Sequence, residues 1–166
     1  MNRHKDFWQV TEDSLDKSMK AFEIDISMKN ELLNLYKVLS PFPEVPEVLK
    51  KLKEKNYKLA VCSNKLEELT KKVLKKTNLL KYFDYVAGGD TFAHKKPHPS
   101  VLNNVIKKFK VDKKKVLFIG DSEHDYESAI NSNIKFCLKT NGFTNKPISF
   151  FKQSIILKKY NTTFLI

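Results

Sequence analysis

Two carboxylates, Asp121 and Asp125, stand four residues apart directly after an apolar run closed by a glycine, Val116-Leu117-Phe118-Ile119-Gly120. A run that short suits a strand buried on both faces, as in a parallel sheet covered by helices. Gly120 lets the chain turn sharply where the strand ends, which puts Asp121 at the carboxyl edge of the sheet, where open α/β sheets bind ligands. With a helix starting near Ser122, Asp125 lies about one turn further on and faces the same spot. Two hard oxygen donors there suit Mg²⁺, which takes one or two carboxylates and completes its shell with waters and a substrate phosphate. A plain strand–turn–helix junction, with Asp or Ser capping the helix, accounts for the same residues equally well.

Two further groups follow apolar runs. Ser63 and Asn64 come directly after Tyr57-Lys58-Leu59-Ala60-Val61-Cys62, and Lys96 lies in the loop Ala93-His94-Lys95-Lys96-Pro97-His98-Pro99 beyond Phe83-Asp84-Tyr85-Val86-Ala87. Each has an ordinary alternative, a helix cap for Ser63-Asn64 and a surface lysine for Lys96. Taken together they bring a hydroxyl, an amide, a cation and two carboxylates to one rim. A hydroxyl and a lysine hold phosphate oxygens while a carboxylate-bound Mg²⁺ neutralises charge in phosphoryl transfer. His94, His98 and His124 share no metal-ligand spacing with a cysteine and receive no role.

The elements that must position these groups alternate along the chain. Helical spacing runs through 4–22 (Trp8, Leu15, Met19, Phe22) and 28–39 (Met28, Leu32, Leu35, Tyr36, Leu39), and Pro41-Phe42-Pro43 marks a linker. Beyond it, helices are predicted on Val45, Val48, Leu49 and Leu52, on Leu66, Leu69, Val73 and Leu74, on Val101 to Phe109 after Pro99, and on Tyr126, Ala129 and Ile130. Strands are predicted at 57–62, 83–87, 116–119 and 134–138, with 154–157 a candidate edge strand. Strands alternating with helices of this length imply right-handed βαβ units and a parallel sheet.

The chain's 166 residues are 41% hydrophobic, with 12 Phe and 6 Tyr, enough for one well-cored domain. No run approaches the roughly 18 apolar residues of a membrane span. The start, Met1-Asn2-Arg3-His4-Lys5-Asp6, leads into no signal-peptide core, and Cys62 and Cys137 sit in apolar runs as reduced thiols do. A cytoplasmic location is the expectation. The net charge of +12 raises nucleic acid as a partner, but the basic residues are lysines apart from Arg3 and fall on the polar faces of predicted helices. Solvated faces explain them better than a nucleic-acid site, which would favour arginine.

The motifs Leu59-Ala60-Val61-Cys62-Ser63-Asn64-Lys65, Ala87-Gly88-Gly89-Asp90-Thr91 with Lys96-Pro97-His98-Pro99, and Gly120-Asp121-Ser122-Glu123-His124-Asp125 resemble the haloacid dehalogenase superfamily, and within it phosphoglycolate phosphatases. The resemblance implies a Rossmann-like core at 41–166 with helices on both faces, and a partial helical cap at 1–40. It also implies that Ser63 and Asn64 hold phosphate and that Lys96 steadies phosphate and nucleophile. Asp121 would ligate Mg²⁺, with Asp125 ligating it or supporting it from behind. Phe7-Trp8-Gln9-Val10-Thr11-Glu12-Asp13-Ser14-Leu15 and Pro41-Phe42-Pro43-Glu44-Val45-Pro46 are similar instead to the cap of 2-haloacid dehalogenases. Those enzymes need no metal and usually carry Ser-Ser-Asn where this chain has Gly120-Asp121-Ser122, so the metal-ligand aspartate favours phosphate esters.

The family's nucleophile sits in Asp-x-Asp-Gly-Thr on a central first strand, and this sequence holds no Asp-x-Asp. Without that strand, between the counterparts of 57–62 and 116–119, backbone donors and acceptors of two strands lose their partners. Neither Asp84 nor Asp90 is placed to substitute. Three readings follow: an N-terminally truncated Mg²⁺ phosphatase for a small phosphorylated metabolite such as 2-phosphoglycolate, weak or inactive as it stands; a non-catalytic phosphate-binding or interaction module; and a basic nucleic-acid binder. Retention of Ser63, Lys96, Asp121 and Asp125 together favours the first. The oligomeric state is open.

Overall fold

A computed structural model describes residues 7–31 and 40–160. Its elements are α1 (Phe7–Ala21), α2 (Val45–Glu54), β1 (Ala60–Cys62), α3 (Glu67–Lys76), β2 (Tyr85–Ala87), α4 (Ser100–Phe109), β3 (Leu117–Gly120), α5 (Glu123–Asn131), β4 (Lys135–Lys139) and β5 (Ile155–Leu157). Apolar spacing locates the helices, and the chain leaves each of them in the same way. Glu23, Asn56, Asn78, Lys110 and Asn133 take left-handed φ angles of 53 to 61° just past their helices. The next residue then donates its N–H five positions back: Ile24 to Met19, Tyr57 to Leu52, Leu79 to Leu74, Val111 to Ile106 and Ile134 to Ala129. This 6→1 closure satisfies late helical carbonyls and delivers an apolar side chain to the following segment. Asparagine tolerates the left-handed turn best among residues with a side chain, which accounts for its use at three of these exits.

The strands are shorter than the apolar runs that announced them. Tyr57 closes the exit of α2, and Asp84 spends its carboxylate on the Leu59 N–H and on Lys53, both 2.9 Å away, so neither run pairs along its full length. All pairing is parallel, with Val61 opposite Val86, Phe118 opposite Phe136, and Leu138 opposite Ile156. The edge strand at 154–157 therefore exists, beside β4.

A single sheet does not form among the described residues. β1 and β2 make one pair, and β3, β4 and β5 make a separate three-stranded sheet. The two halves share one apolar cluster. Leu102 and Ile106 of α4, Ala129 of α5, Phe136 and Leu138 of β4, and Phe151 are buried together, with Cys62 from β1 and Phe118 from β3 packed against them. Phe136, Cys137 and Leu138 are all at most 2% exposed, so β4 is covered on both faces, as a central parallel strand must be.

Several expected core positions face solvent. Phe22 is 77% exposed because the chain turns at Glu23 before another helical turn forms, and Met28 lies in a short 3₁₀ turn at 45% exposure. Ile130 sits on the outer side of α5, whose inner side is Ala129. Residues 32–39 of the second predicted helix, the Trp8 side chain and the tail after 160 lie outside the described residues. Cys62 and Cys137 are free thiols. No helix among the described residues is long and apolar enough to cross a membrane.

Lys110 carries a side chain in the left-handed conformation at the end of α4, where glycine avoids a cost of roughly 1 kcal/mol. Lys110→Gly is expected to stabilise the fold by about that amount, and Lys110→Val to destabilise it, in urea unfolding.

Candidate active site

The three loops that leave β1, β2 and β3 meet at one rim. β1 ends in Ser63-Asn64, and the Asn64 side chain clasps the backbone of Lys96: its amide donates to the Lys96 carbonyl at 3.0 Å and its carbonyl accepts the Lys96 N–H at 2.9 Å. Gly88 and Gly89 allow the approach, since a Cβ on Gly89 would run into the Asn64 backbone and one on Gly88 into that of Glu67. Asp90, just beyond, accepts the Glu67 N–H at 2.8 Å and so caps α3 from a neighbouring loop.

Held in this way, Lys96 points its ammonium inward. It donates to the Cys62 carbonyl at 2.7 Å and to Asp125 Oδ1 at 2.6 Å, and lies 5.4 Å from the centre of the Phe118 ring. Both charged side chains are buried, at 10% and 8% exposure, so this is an ion pair inside the protein. The second oxygen of Asp125 accepts from Ser122 Oγ at 2.7 Å and from the Asp121 N–H at 3.2 Å. Ser122 in turn caps α5 by accepting the Asp125 N–H at 3.3 Å. The capping role considered for these residues is thus present, and the same side chains join Lys96 and Asp125 in one network.

Asp121 stands beside this pair with a different environment. Burial and the Asp125 charge push its carboxyl above the usual carboxylate range, against the opposing pull of the Phe143 N–H and the Lys96 charge. One ammonium and two carboxylates leave the rim with an excess negative charge. Asp125 has both oxygens committed, whereas the hydrogen bonds that reach Asp121 come from backbone N–H groups, so Asp121 is the candidate to hold a cation and Asp125 stands behind it. That donor set fits Mg²⁺, which completes its shell with water and phosphate. No cluster of three or more His, Cys, Asp or Glu suited to a metal occurs among the described residues.

Ser63 Oγ accepts the Lys65 N–H at 3.1 Å, and its own proton remains a donor for an oxyanion. Cys62, although next to Lys96, is no alternative nucleophile: burial pushes its thiol up to about 11, so it stays protonated at neutral pH.

Sequence reasoning missed two parts of this rim. The loop after β4 closes on Asp121, where a Cβ on Gly142 would collide with the Asp121 side chain and the Phe143 N–H reaches its carboxylate. Thr144 anchors the same loop to Glu123 at 2.9 Å, leaving Phe143 92% exposed beside the site. The Asn141-Gly142 dipeptide was the available signal, since it marks a turn directly after a strand. The second is Lys139, 6% exposed at the end of β4, whose ammonium donates to the Thr140 carbonyl and lies over the Phe42 and Tyr160 rings at 4.9 and 5.7 Å.

The sequence pattern of the haloacid dehalogenase-like hydrolases matches residues 3–139. The phosphoglycolate phosphatase of Aquifex aeolicus is 40% identical over 120 residues, covering 72% of this chain and 56% of the relative. The (S)-2-haloacid dehalogenase 4A of Burkholderia cepacia is 28% identical over 131 residues, 78% of this chain and 57% of the relative. Among solved structures, one described as a predicted phosphoglycolate phosphatase from Haemophilus somnus superposes with a TM-score of 0.77 at 25% identity, covering 90% of this chain and 72% of that one. The chain spans about half the length of the curated relatives it matches.

Removing the Lys96 ammonium strands a buried carboxylate. Lys96→Met is expected to cost about 3 kcal/mol in denaturant unfolding, and adding Asp125→Asn should recover much of it. Asp121 behaves in the opposite sense. Its raised pKa means that the folded state binds the proton more tightly, so its ionisation weakens the fold as pH rises through the carboxylate range. Asp121→Asn should therefore melt higher than wild type at neutral pH, with the difference closing on acidification.

Proposed function

The chain belongs to the haloacid dehalogenase-like hydrolases, and from that membership we propose that its rim is the phosphate- and Mg²⁺-holding half of a phosphatase site for a small phosphate monoester such as 2-phosphoglycolate. The observation that carries this reading is the Lys96–Asp125 pair, 2.6 Å long and buried beside Asp121. It supplies a fixed cation for phosphate oxygens next to a carboxylate that lacks a counter-charge. Mg²⁺ at Asp121 would neutralise charge on the transferring phosphoryl group. Ser63 donates its hydroxyl proton to a phosphate oxygen, and Lys96 offers its remaining N–H to another. Asn64 sets the lysine's place by holding the Lys96 backbone, and the second N–H of its amide remains for a phosphate oxygen.

Phosphoryl transfer to a carboxylate needs a nucleophile in reach, and the 166 residues contain no Asp-x-Asp to provide one. Asp125 cannot serve, with both oxygens engaged, and Cys62 is held as a thiol. We therefore propose that this chain binds Mg²⁺ and phosphate but turns over esters very slowly or not at all. In that form it is a phosphate-binding module on a hydrolase scaffold, the second reading that the same rim supports.

Calorimetric titration should detect Mg²⁺ binding that is lost in Asp121→Ala. Inorganic phosphate should bind more tightly with Mg²⁺ present and lose about tenfold in affinity in Ser63→Ala, the worth of one charge-assisted hydrogen bond. Hydrolysis of 2-phosphoglycolate should stay near the buffer rate. Mg²⁺-dependent turnover abolished by Asp121→Ala would instead reveal a nucleophile in an unforeseen place. Failure to bind either ion would remove the phosphatase reading.

A further inference from the structure

The lysines of this chain divide into two groups according to what they face. On α2 and α3, Lys51, Lys71 and Lys72 each pair with a glutamate one turn earlier, Glu47, Glu67 and Glu68. Lys53 and Lys58 share Asp84. α4 departs from this pattern. Four residues before Lys107 and Lys108 stand Asn103 and Asn104, so the place of a partner acid on the helix face holds an amide. The chain then adds Lys110, Lys113, Lys114 and Lys115, and residues 107–115 carry six lysines against one acid, Asp112. Asp112 spends an oxygen on the Lys114 N–H at 2.9 Å. All six lysines are exposed, as is Lys135. No ion pair among the described residues reaches any of them.

These lysines gather at one edge of the molecule, where strands begin and helices end. Lys113–Lys115 run into β3, Lys135 opens β4 beside it, and the two strands are parallel. Lys108 lies 4.7 Å from the ring centre of Tyr85, the first residue of β2, and Lys113 donates to the Ser132 carbonyl at the end of α5 at 3.1 Å. Val111 and Val116, between the lysines, pack on the shared apolar cluster. The edge is opposite the rim, since Ser63 and Asp121 follow the carboxyl ends of their strands. Cations in the last turn of α4 answer its dipole, which accounts for Lys107 and Lys108. It does not account for Lys113–Lys115 in a 3₁₀ turn or for Lys135 in a strand.

We propose that this amino edge docks on an anionic lipid surface, with the rim turned to solution. Like charges crowded at one edge repel one another, and a negative surface relieves that repulsion. The composition favours lipid over nucleic acid. The edge offers no arginine to fork onto phosphates or base edges, and the Tyr85 ring lies under Lys108 instead of standing open for a base. Lysine is a hydrated point charge, which a diffuse negative surface attracts without directed bonds. No large apolar residue of 107–115 is strongly exposed, so the attachment is electrostatic and reversible by salt. The proposal does not depend on the phosphatase reading, which concerns the other edge.

The test is co-sedimentation of the whole chain with vesicles of phosphatidylcholine, alone or with about 30% phosphatidylglycerol. Binding is expected to the anionic vesicles only, and should vanish as salt rises. Lys107→Gln, Lys114→Gln and Lys115→Gln combined should weaken it about a hundredfold. The same loss of charge placed elsewhere, as Lys17→Gln, Lys20→Gln and Lys152→Gln, should weaken it far less. Both sets are exposed and leave the ion pairs named above intact. On bound wild-type protein, amide exchange should slow at 107–115 and stay unchanged at 141–146. Equal binding to both vesicle types, equal weakening by the two triple variants, protection that omits 107–115, or release from the vesicles by duplex DNA at matched phosphate charge would overturn the proposal.

Discussion

The structure depends on one buried ammonium. Lys96 joins the end of β1 to the first turn of α5, the helix after β3, and no strand pairing does that work among the described residues. Desolvating a lysine and an aspartate costs several kcal/mol for each ion, and the attraction between them returns this only when the remaining polar atoms are satisfied. Here they are. The Asp125 carboxylate receives three donors, from Lys96, Ser122 and the Asp121 backbone, and its own N–H donates to Ser122 Oγ, while Lys96 also finds a carbonyl and a ring face. A network this closed fixes geometry more than it adds stability, and fixed geometry is what a phosphate site requires.

The same constraint divides the labour between the two aspartates. Asp125 is the structural acid, its charge matched by Lys96 and its oxygens fully committed. Asp121 is left with an unmatched charge in a half-buried place, pressed by the loop at Gly142 and Phe143. A carboxyl held above its ordinary range by burial and a like charge costs stability that a bound cation would return, so the strain at Asp121 is located where the proposed chemistry needs it.

Much of this was legible in the sequence because short motifs carried it. Gly120-Asp121 and Asp125 announced their strand, turn and helix, and Ser63-Asn64 and Lys96 followed apolar runs that became β1 and β2. Asparagines stand at the helix exits Asn56, Asn78 and Asn133, a signal the apolar spacing alone does not use. Less visible was what depends on distant pairs. Asn64 was expected to hold phosphate, and its side chain also holds a backbone 32 residues away, which its position in the sequence does not show. Lys139 carried no signal in the sequence, and its ammonium lies over the rings of Phe42 and Tyr160, residues far apart in the chain. Phe22 kept the helical spacing of the first predicted helix although α1 ends at Ala21, and Met28, placed at the start of the second, lies in a 3₁₀ turn. Periodicity measures local pattern and is silent about where the helix stops.

The split sheet and the site are two consequences of one arrangement. Parallel strands present their loops at a common edge, and the central position of such a sheet is where loops from both halves converge. Removing a strand there leaves the outer loops in place as long as something else holds the halves in register. The shared cluster of α4, α5 and β4 does this from the side, and Lys96 does it from the rim. A rim so maintained keeps Lys96, Asp121 and Asp125 together even though the position between β1 and β3 holds no strand among the described residues. The groups proposed to hold an anion are anchored to the two described sheets by this pair and this cluster, so their arrangement does not rest on strand pairing between β1 and β3.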